Sequence, residues 1–397
     1  MPSQQYAPIS PNVLHWALLD SGWQIEEVAK KITVKPEKII SWESGEKLPT
    51  FKQVQKLAKV LHRPLSIFFE KMPPVTIPLA AEYRRLPNVS VGQESPHLRL
   101  SLRQMIRRRE LAIELMEELN INPIPFQTVA HLHEKPEIVG ERIRSLLGIS
   151  IEEQFKWTNE WAAWRAWRHS LEAIGVLVFQ FGKVDLQEVR GTTLFHNPLP
   201  VIGINSKEVH PGAKVFTLLH ELAHLMLANG NEEKAAINEN RSIDEWMLLE
   251  SFAEKVASHA MIPELYLNRA IDNLSIGLND WTLSNIKRLA KRFSATPLAT
   301  ATRLRESGLM SWDQYNAWRA EWKDYVSAIP NQSGGFAMPA DKTLGSVGRP
   351  FTQLVLEALS SNKITSVDAS RYLDLKFDHI ESLKGLISGP TRAGNGN

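Results

Sequence analysis

Cysteine is absent from this 397-residue chain, which excludes a disulfide scaffold, a thiol nucleophile, an iron–sulfur cluster and any Cys-based zinc finger. A metal bound here therefore needs His, Asp or Glu. The chain also lacks an excess of one charge: 46 Lys and Arg stand against 44 Asp and Glu, so attraction to nucleic acid has to come from a local patch. No apolar run approaches the ~18 residues that mark a membrane span. The opening MPSQQYAPIS has neither the basic patch nor the apolar stretch of an export signal. The expected compartment is the cytoplasm, with no membrane partner. With 43% hydrophobic and 23% charged residues the composition fits a folded globular chain and excludes disordered or fibrous classes. The length predicts two or three domains at roughly 100–200 residues each.

Apolar residues recur at helical spacing from Asn12 to Lys71, among them Leu14, Leu18, Val28, Ile32, Leu57 and Leu61, which predicts a small all-helical domain. The prolines of MPPVTIP (Met72–Pro78) then stop helix formation and begin a connector. Arg99–Leu119 reads as an exposed amphipathic helix whose Arg107–Arg109 form a solvated face. Trp157, Trp161, Trp164 and Trp167 line one side of a helix, a stripe that predicts core packing. Short β-like runs at Val176–Phe181, Thr192–Phe195 and Pro200–Ile204, punctuated by Gly182, Gly191 and the Asn197–Pro198 turn, predict a small sheet. Helical periodicity returns at Val215–Ala228 and Leu248–Met261 and persists to about Val326. A Gly-rich linker is expected around Ser333–Pro350, then helices from Phe351 to Ile387 and a frayed tail, Ser388–Asn397.

The strongest chemical signal is HELAH, His220-Glu221-Leu222-Ala223-His224, inside an apolar helical segment without Gly or Pro. Histidines at i and i+4 lie one turn apart on the same face, and each can direct a ring nitrogen at one zinc ion at about 2.0–2.1 Å. Glu221 lies about 100° around the helix, within reach of a water beside such an ion. The pattern supplies two ligands and a base. A third protein ligand is expected, and Glu250 is the choice from LLESFAEKVASHAMIP. Glu250 and Glu254 share a face at i, i+4, so one carboxylate can bind metal while the other holds a ligand histidine. Spacing leaves their order open. It also leaves open which of His259, His210, Arg241 and Tyr266 polarises a substrate carbonyl.

These segments resemble the ImmA/IrrE family of metallo-endopeptidase-like proteins over roughly Ile174–Gly308. The resemblance is carried by PVIGIN (Pro200–Asn205), FTLLHELAHLML (Phe216–Leu227) and the block running from Glu250 through Ala253, Glu254, Ala257 and Met261 to Pro263. It implies zinc on His220, His224 and Glu250, with Glu221 acting on water. The family more often has Asn or Asp where this chain has Glu254. Members cut repressor proteins, which implies zinc-assisted hydrolysis of a partner repressor or antitoxin, as in phage-related and stress circuits. In that chemistry Glu221 takes a proton from water and passes it to the departing amine. An exposed edge of the small sheet is expected to hold the substrate as an added strand.

The segment GWQIEEVAKKITVKPEKIISWESG (Gly22–Gly45) offers a short helix, a break at Thr33–Val34 and a second helix, with small Ala29 at the crossing and Ile39 and Trp42 facing inward. It resembles the Xre/lambda-repressor-like helix-turn-helix group, echoed in EEVA, SWESG, LPTFKQVQKLAKVL and the closing Phe68–Phe69. That resemblance implies double-stranded DNA as a partner. Glu37, Lys38 and Ser41 would face base edges, while Lys35, Lys47 and Lys52 would meet phosphate. Asn12–Lys71 holds ten basic against seven acidic residues, a modest local surplus.

The expected fold is α+β and predominantly helical. It comprises a helix-turn-helix domain at 12–71, a helical connector at 72–150 and a zincin-like domain with a small antiparallel sheet at 151–310. A helical C-terminal region follows at 311–387, then a tail at 388–397. Leu289–Leu309 and Val355–Leu386 each read as helix, turn, helix; simple packing is their expected role, with substrate docking, homodimerisation or signal sensing as alternatives. The rival reading is a DNA-binding regulator or antitoxin whose zincin-like domain senses a ligand or partner without hydrolysis.

Overall fold

Proline opens many of the helices, at positions where its missing N–H would have had no intrahelical partner. Pro11, Pro36, Pro96, Pro136, Pro211, Pro297 and Pro339 all lie in first turns. A computed structural model describes residues 5–84, 86–87, 89–277, 279–328 and 337–388. The chain is mostly helical, with one small sheet.

Helices α1 (Pro11–Ser21), α2 (Ile25–Ile32), α3 (Pro36–Glu43) and α4 (Phe51–Val60) form the N-terminal unit. They close over Leu14, Val28, Ile32, Ile39, Trp42 and Leu57, all buried. Thr33 ends α2 in the left-handed region (φ 63°), and the Val34 amide donates back to the Ala29 carbonyl. That tight corner directs α3 across α2.

After the proline-rich stretch comes α5 (Pro96–Glu118). Its predicted exposure is corrected by the structure: Leu98, Leu102, Met105, Leu111 and Leu115 are buried because the helix lies against the sheet. Arg107 does stay in solvent, paired with Glu110 and Glu114. Arg108 instead lies over the Phe179 ring, and Arg109 donates to the carbonyls of Pro198 and Leu199 at 2.6 and 2.9 Å. Next are α6 (Pro136–Leu147), α7 (Ile151–Gln154) and α8 (Glu160–Ala173). Trp164 and Trp167 of the tryptophan stripe are core, while Trp161 remains exposed.

The sheet comprises β1 (Leu177–Phe181), β2 (Gly191–Leu194) and β3 (Val201–Asn205), in the order β1–β3–β2. It is mixed rather than antiparallel. β1 runs parallel to β3, with Leu177 opposite Val201, and β2 runs antiparallel to β3, with Leu194 opposite Val201. The reason lies in the connection after β1, which carries the chain past β3 to its far side. The buried Asn205 amide holds that connection by donating to the Val184 and Val189 carbonyls at 3.2 and 2.9 Å. Both faces of the sheet are covered, which is why its strands read as unbroken apolar runs. One face meets α8 and α9 (Pro211–Asn229); the other meets α5 and the C-terminal helices.

Helices α10 (Ile243–Met261), α11 (Glu264–Asn273), α12 (Leu283–Phe293), α13 (Pro297–Glu306) and α14 (Trp312–Ser327) follow. Of the expected linker, residues 333–336 lie outside the described residues, but much of the rest is a helix, α15 (Pro339–Val347). It forms because it packs on the outer edge of β1, where Gln180 donates to the Gly345 carbonyl at 2.6 Å and Ser346 donates to the Gln180 carbonyl at 3.2 Å. α16 (Arg349–Ser360), α17 (Ser366–Leu373) and α18 (Ile380–Ser388) complete the chain. Of the predicted frayed tail, Ser388 closes α18 and residues 389–397 lie outside the described residues. No helix of the described residues is long and apolar enough to cross a membrane.

Candidate metal centre

α9 is apolar on nearly every side, with Leu218, Leu219, Leu222, Ala223 and Met226 buried against the sheet, α8 and α10. β2 can lie flush on this helix because residue 191 is glycine. A Cβ there would stand 2.6 Å from the Thr217 methyl and 2.8 Å from Glu221. The close approach brings β2 beside the polar patch of α9 that the HELAH spacing defines.

On that patch His220 Nε2 and His224 Nε2 are 3.0 Å apart. Glu250 reaches over from α10, placing Oε2 3.4 Å from His220 Nε2 and Oε1 3.5 Å from His224 Nε2. One donor atom from each of the three residues falls within 4.8 Å of the others. Two imidazole nitrogens and one carboxylate are the donor set of a catalytic zinc site with a position left for water. Hard cations such as Mg²⁺ prefer all-oxygen sets. The buried Glu233 carboxylate lies 2.8 Å from His224 Nδ1, so this nitrogen donates and Nε2 turns toward the cluster. The cluster also favours positive charge. Burial and the Arg84 guanidinium push His224 down, yet Glu233 and Glu250 outweigh them and lift its pKa to about 9. His220 Nδ1 is buried with no hydrogen-bond partner among the described residues, so nothing pins that ring to a tautomer that would close Nε2. The residues present fit a divalent ion of the zinc type.

Glu221 is buried beside this cluster. Its Oε2 accepts from Thr193 Oγ1 on β2 at 2.7 Å. Both its oxygens are also gripped by Arg84, Oε1 by Nη2 at 3.0 Å and Oε2 by Nε at 3.2 Å. The remaining terminal nitrogen, Nη1, donates to Glu250 Oε1 at 2.8 Å. Only 1% of Arg84 is exposed. Burial would raise the Glu221 carboxyl, but Arg84 outweighs it and the pKa falls. Burial likewise opposes ionisation of Glu250, and Arg84 with His224 holds it well below the usual carboxylate range.

Two expectations are corrected here. Glu254 does not hold a ligand histidine. It is exposed, one turn beyond Glu250 and near Glu306, because the cluster sits off the first half of α10, and Glu233 occupies the supporting position instead. The sheet edge at β2 is not open beside the site, since the Arg84 amide donates to the Thr193 carbonyl at 3.3 Å. Of the residues among which spacing left carbonyl polarisation open, His259 pairs with Arg303 at 3.0 Å, Arg241 engages Glu239 and the Glu232 carbonyl, His210 is the residue before α9, and Tyr266 lies in α11.

Two family profiles match the chain. The profile described as IrrE N-terminal-like domain, of the M78 peptidases, covers residues 171–305, which includes the sheet, α9 and Glu250. The chain carries an M78 peptidase-like domain. A second profile, described as helix-turn-helix, covers residues 14–68, and such a domain implies DNA binding. No curated protein matches the chain. Within the helix-turn-helix domain, Lys35, Glu37 and Lys38 are exposed at the start of α3, and Lys47 and Lys52 are exposed beyond it. Ser41 is half-buried, its hydroxyl donating to the Lys38 carbonyl at 2.8 Å.

Proposed function

We propose that this chain is a cytoplasmic zinc-dependent endopeptidase that regulates transcription, binding duplex DNA through its helix-turn-helix domain and cleaving a partner repressor or antitoxin. The observation that carries the proposal is the meeting of His220 Nε2, His224 Nε2 and the Glu250 carboxylate beside Glu221, inside an M78 peptidase-like domain. His220, His224 and Glu250 would hold the ion, and Glu233 would orient His224. A zinc ion bound there supplies Lewis acidity, lowering the pKa of water and polarising a scissile carbonyl. Glu221, once released from Arg84, takes the proton from the attacking water and delivers it to the departing amine. Thr193 keeps that carboxylate turned toward the cluster through its 2.7 Å hydrogen bond. On the DNA side, Glu37, Lys38 and Ser41 would read base edges from α3 while Lys35 and Lys47 meet phosphate.

One observation favours a second reading, a DNA-binding regulator whose zincin-like domain senses a ligand or partner without hydrolysing it. Arg84 engages the proposed base itself. The two readings separate when zinc-loaded protein is incubated with the repressor encoded nearest to it and the products are read by mass spectrometry. Discrete fragments are expected from the native chain. Glu221→Gln should keep its zinc and lose roughly 10²–10⁴-fold in rate, the usual worth of a general base. Intact repressor in both reactions, with zinc bound in both, would establish the sensor reading.

A further inference from the structure

A buried arginine is costly unless its charge is matched and its donors are satisfied. Arg84 meets both conditions at one place, through the two carboxylates on which the proposed chemistry depends. Its position is fixed by the backbone. The Arg84 amide donates to the Thr193 carbonyl on the edge of β2, and on the other side Ala236 donates to the Tyr83 carbonyl at 2.7 Å, with Arg84 bridging antiparallel to Ala235. The backbone at Tyr83 and Arg84 thus lies between β2 and the segment after α9, where an added peptide strand would lie. Upstream, Val75 and Ile77 are exposed in a stretch without regular structure, so little packing holds the approach to this segment.

The same segment is tied to the helix-turn-helix domain by a continuous polar chain. The Tyr83 hydroxyl donates to Glu94, and Glu94 pairs with Arg99 of α5 at 3.0 Å. Arg99 donates to the Leu19 carbonyl at the end of α1 at 2.8 Å. Arg103, one turn along α5, donates to the Asp20 carbonyl at 2.8 Å and pairs with the Asp20 carboxylate, which also takes Arg63.

We propose that residues 79–84 are a built-in latch, in which Arg84 blocks the β2 edge and clamps Glu221 and Glu250, and which the helix-turn-helix domain holds shut where Arg99 and Arg103 of α5 grip Leu19 and Asp20 and Arg99 holds Glu94. The inference rests on the metal-centre reading above. The latched form keeps the base occupied by a guanidinium and the peptide groove filled by the chain's own backbone. Opening exchanges Arg84 for a divalent cation as the partner of Glu250 and exposes β2 to a substrate strand. Because guanidinium and cation compete for one carboxylate, latch opening and metal binding are thermodynamically linked.

The test uses the full chain, titrated with Zn²⁺ against a chromogenic chelator and followed by thermal unfolding and deuterium uptake. Arg84→Ala should bind zinc at least about tenfold more tightly than the native chain, since a cation is removed from within hydrogen-bond distance of a ligand. Its melting temperature should drop without zinc and recover with it, as two buried carboxylates lose their partner. Zinc should increase deuterium uptake at residues 79–84 of the native chain. Asp20→Ala, distant from the site, should shift zinc affinity in the same direction as Arg84→Ala. Arg84→Gln gives the same comparison if the alanine variant fails to fold. Equal zinc affinity in the native and Arg84 variants, lost in His220→Ala, would overturn the latch and leave the metal centre standing. Zinc binding that is indifferent to His220→Ala would overturn the centre and the latch with it. An Asp20→Ala affinity equal to that of the native chain would remove the helix-turn-helix domain from the device.

Discussion

In the N-terminal unit Lys35, Glu37, Lys38 and Lys47 lie in water around a core of apolar side chains, whereas in the central site Arg84, Glu221, His224 and Glu233 are enclosed and touch one another. Both regions are rich in charge, and they hold it differently. Exposed side chains around α3 are screened by solvent and salt, so each contributes alone and little to stability. Enclosed charges are mutually dependent, because removing one leaves its partner buried without compensation. Substitutions of the exposed charges around α3 should therefore act on binding alone, and substitutions in the site should act on several properties at once.

The largest contrast comes from a core residue. Ile39→Ala in α3 removes a fully buried side chain and should cost about 2–5 kcal/mol of the stability of the helical unit. Duplex binding, measured by fluorescence anisotropy, should be lost while zinc remains bound. Glu233→Ala comes next, with an expected drop of about 10–100-fold in zinc affinity because His224 loses its orienting carboxylate. Glu254→Ala on the exposed side of α10 should leave that affinity where it was, and a comparable loss in both would erase the distinction drawn between the two glutamates. Lys47→Ala should weaken every duplex to a similar extent and lower the slope of log affinity against log salt by about one. Zinc affinity should not follow it.

The smallest effect concerns pH. His259 is held down to about 4 by burial and by Arg303, so it stays neutral in the folded chain over a range in which the unfolded chain is protonated. Above pH 6.5 both states are neutral and it contributes nothing. As pH falls from about 6.5 toward 4 the unfolded state binds the extra proton and stability declines. Thermal midpoints measured across that window should show a decline that flattens in His259→Asn. An unchanged slope would assign the loss to other groups.

The readable parts of this site are those carried by a period. His220 and His224 come from one helical turn, Glu221 from its neighbouring position, and the three strands from short apolar runs bounded by Gly and Asn–Pro signals. Glu250 was open to exchange with Glu254, since i, i+4 spacing places both on one face without saying which end of that face meets α9. Glu233 lies beyond the end of α9, where the chain turns at Asn229–Asn231 with Asn231 in the left-handed region. That turn was a visible signal that an acid just past the second histidine could fold back on it. Arg84 had no such signal. It stands in irregular chain 137 residues before its partner Glu221, and no local pattern relates the two. The mixed sheet was hidden for a similar reason: strand direction follows from which side of β3 the connection after β1 passes, which depends on Asn205 holding it there.

Amphipathic spacing and turn residues are properties of neighbouring positions, so they announce the helices, the helix-turn-helix corner and the paired histidines wherever the chain is read. Direction within the sheet, the choice between two glutamates, and the guanidinium over the proposed base arise from contacts between segments far apart in the chain. They exist because packing encloses those charges together, and an enclosed charge takes whichever opposite partner the fold brings near.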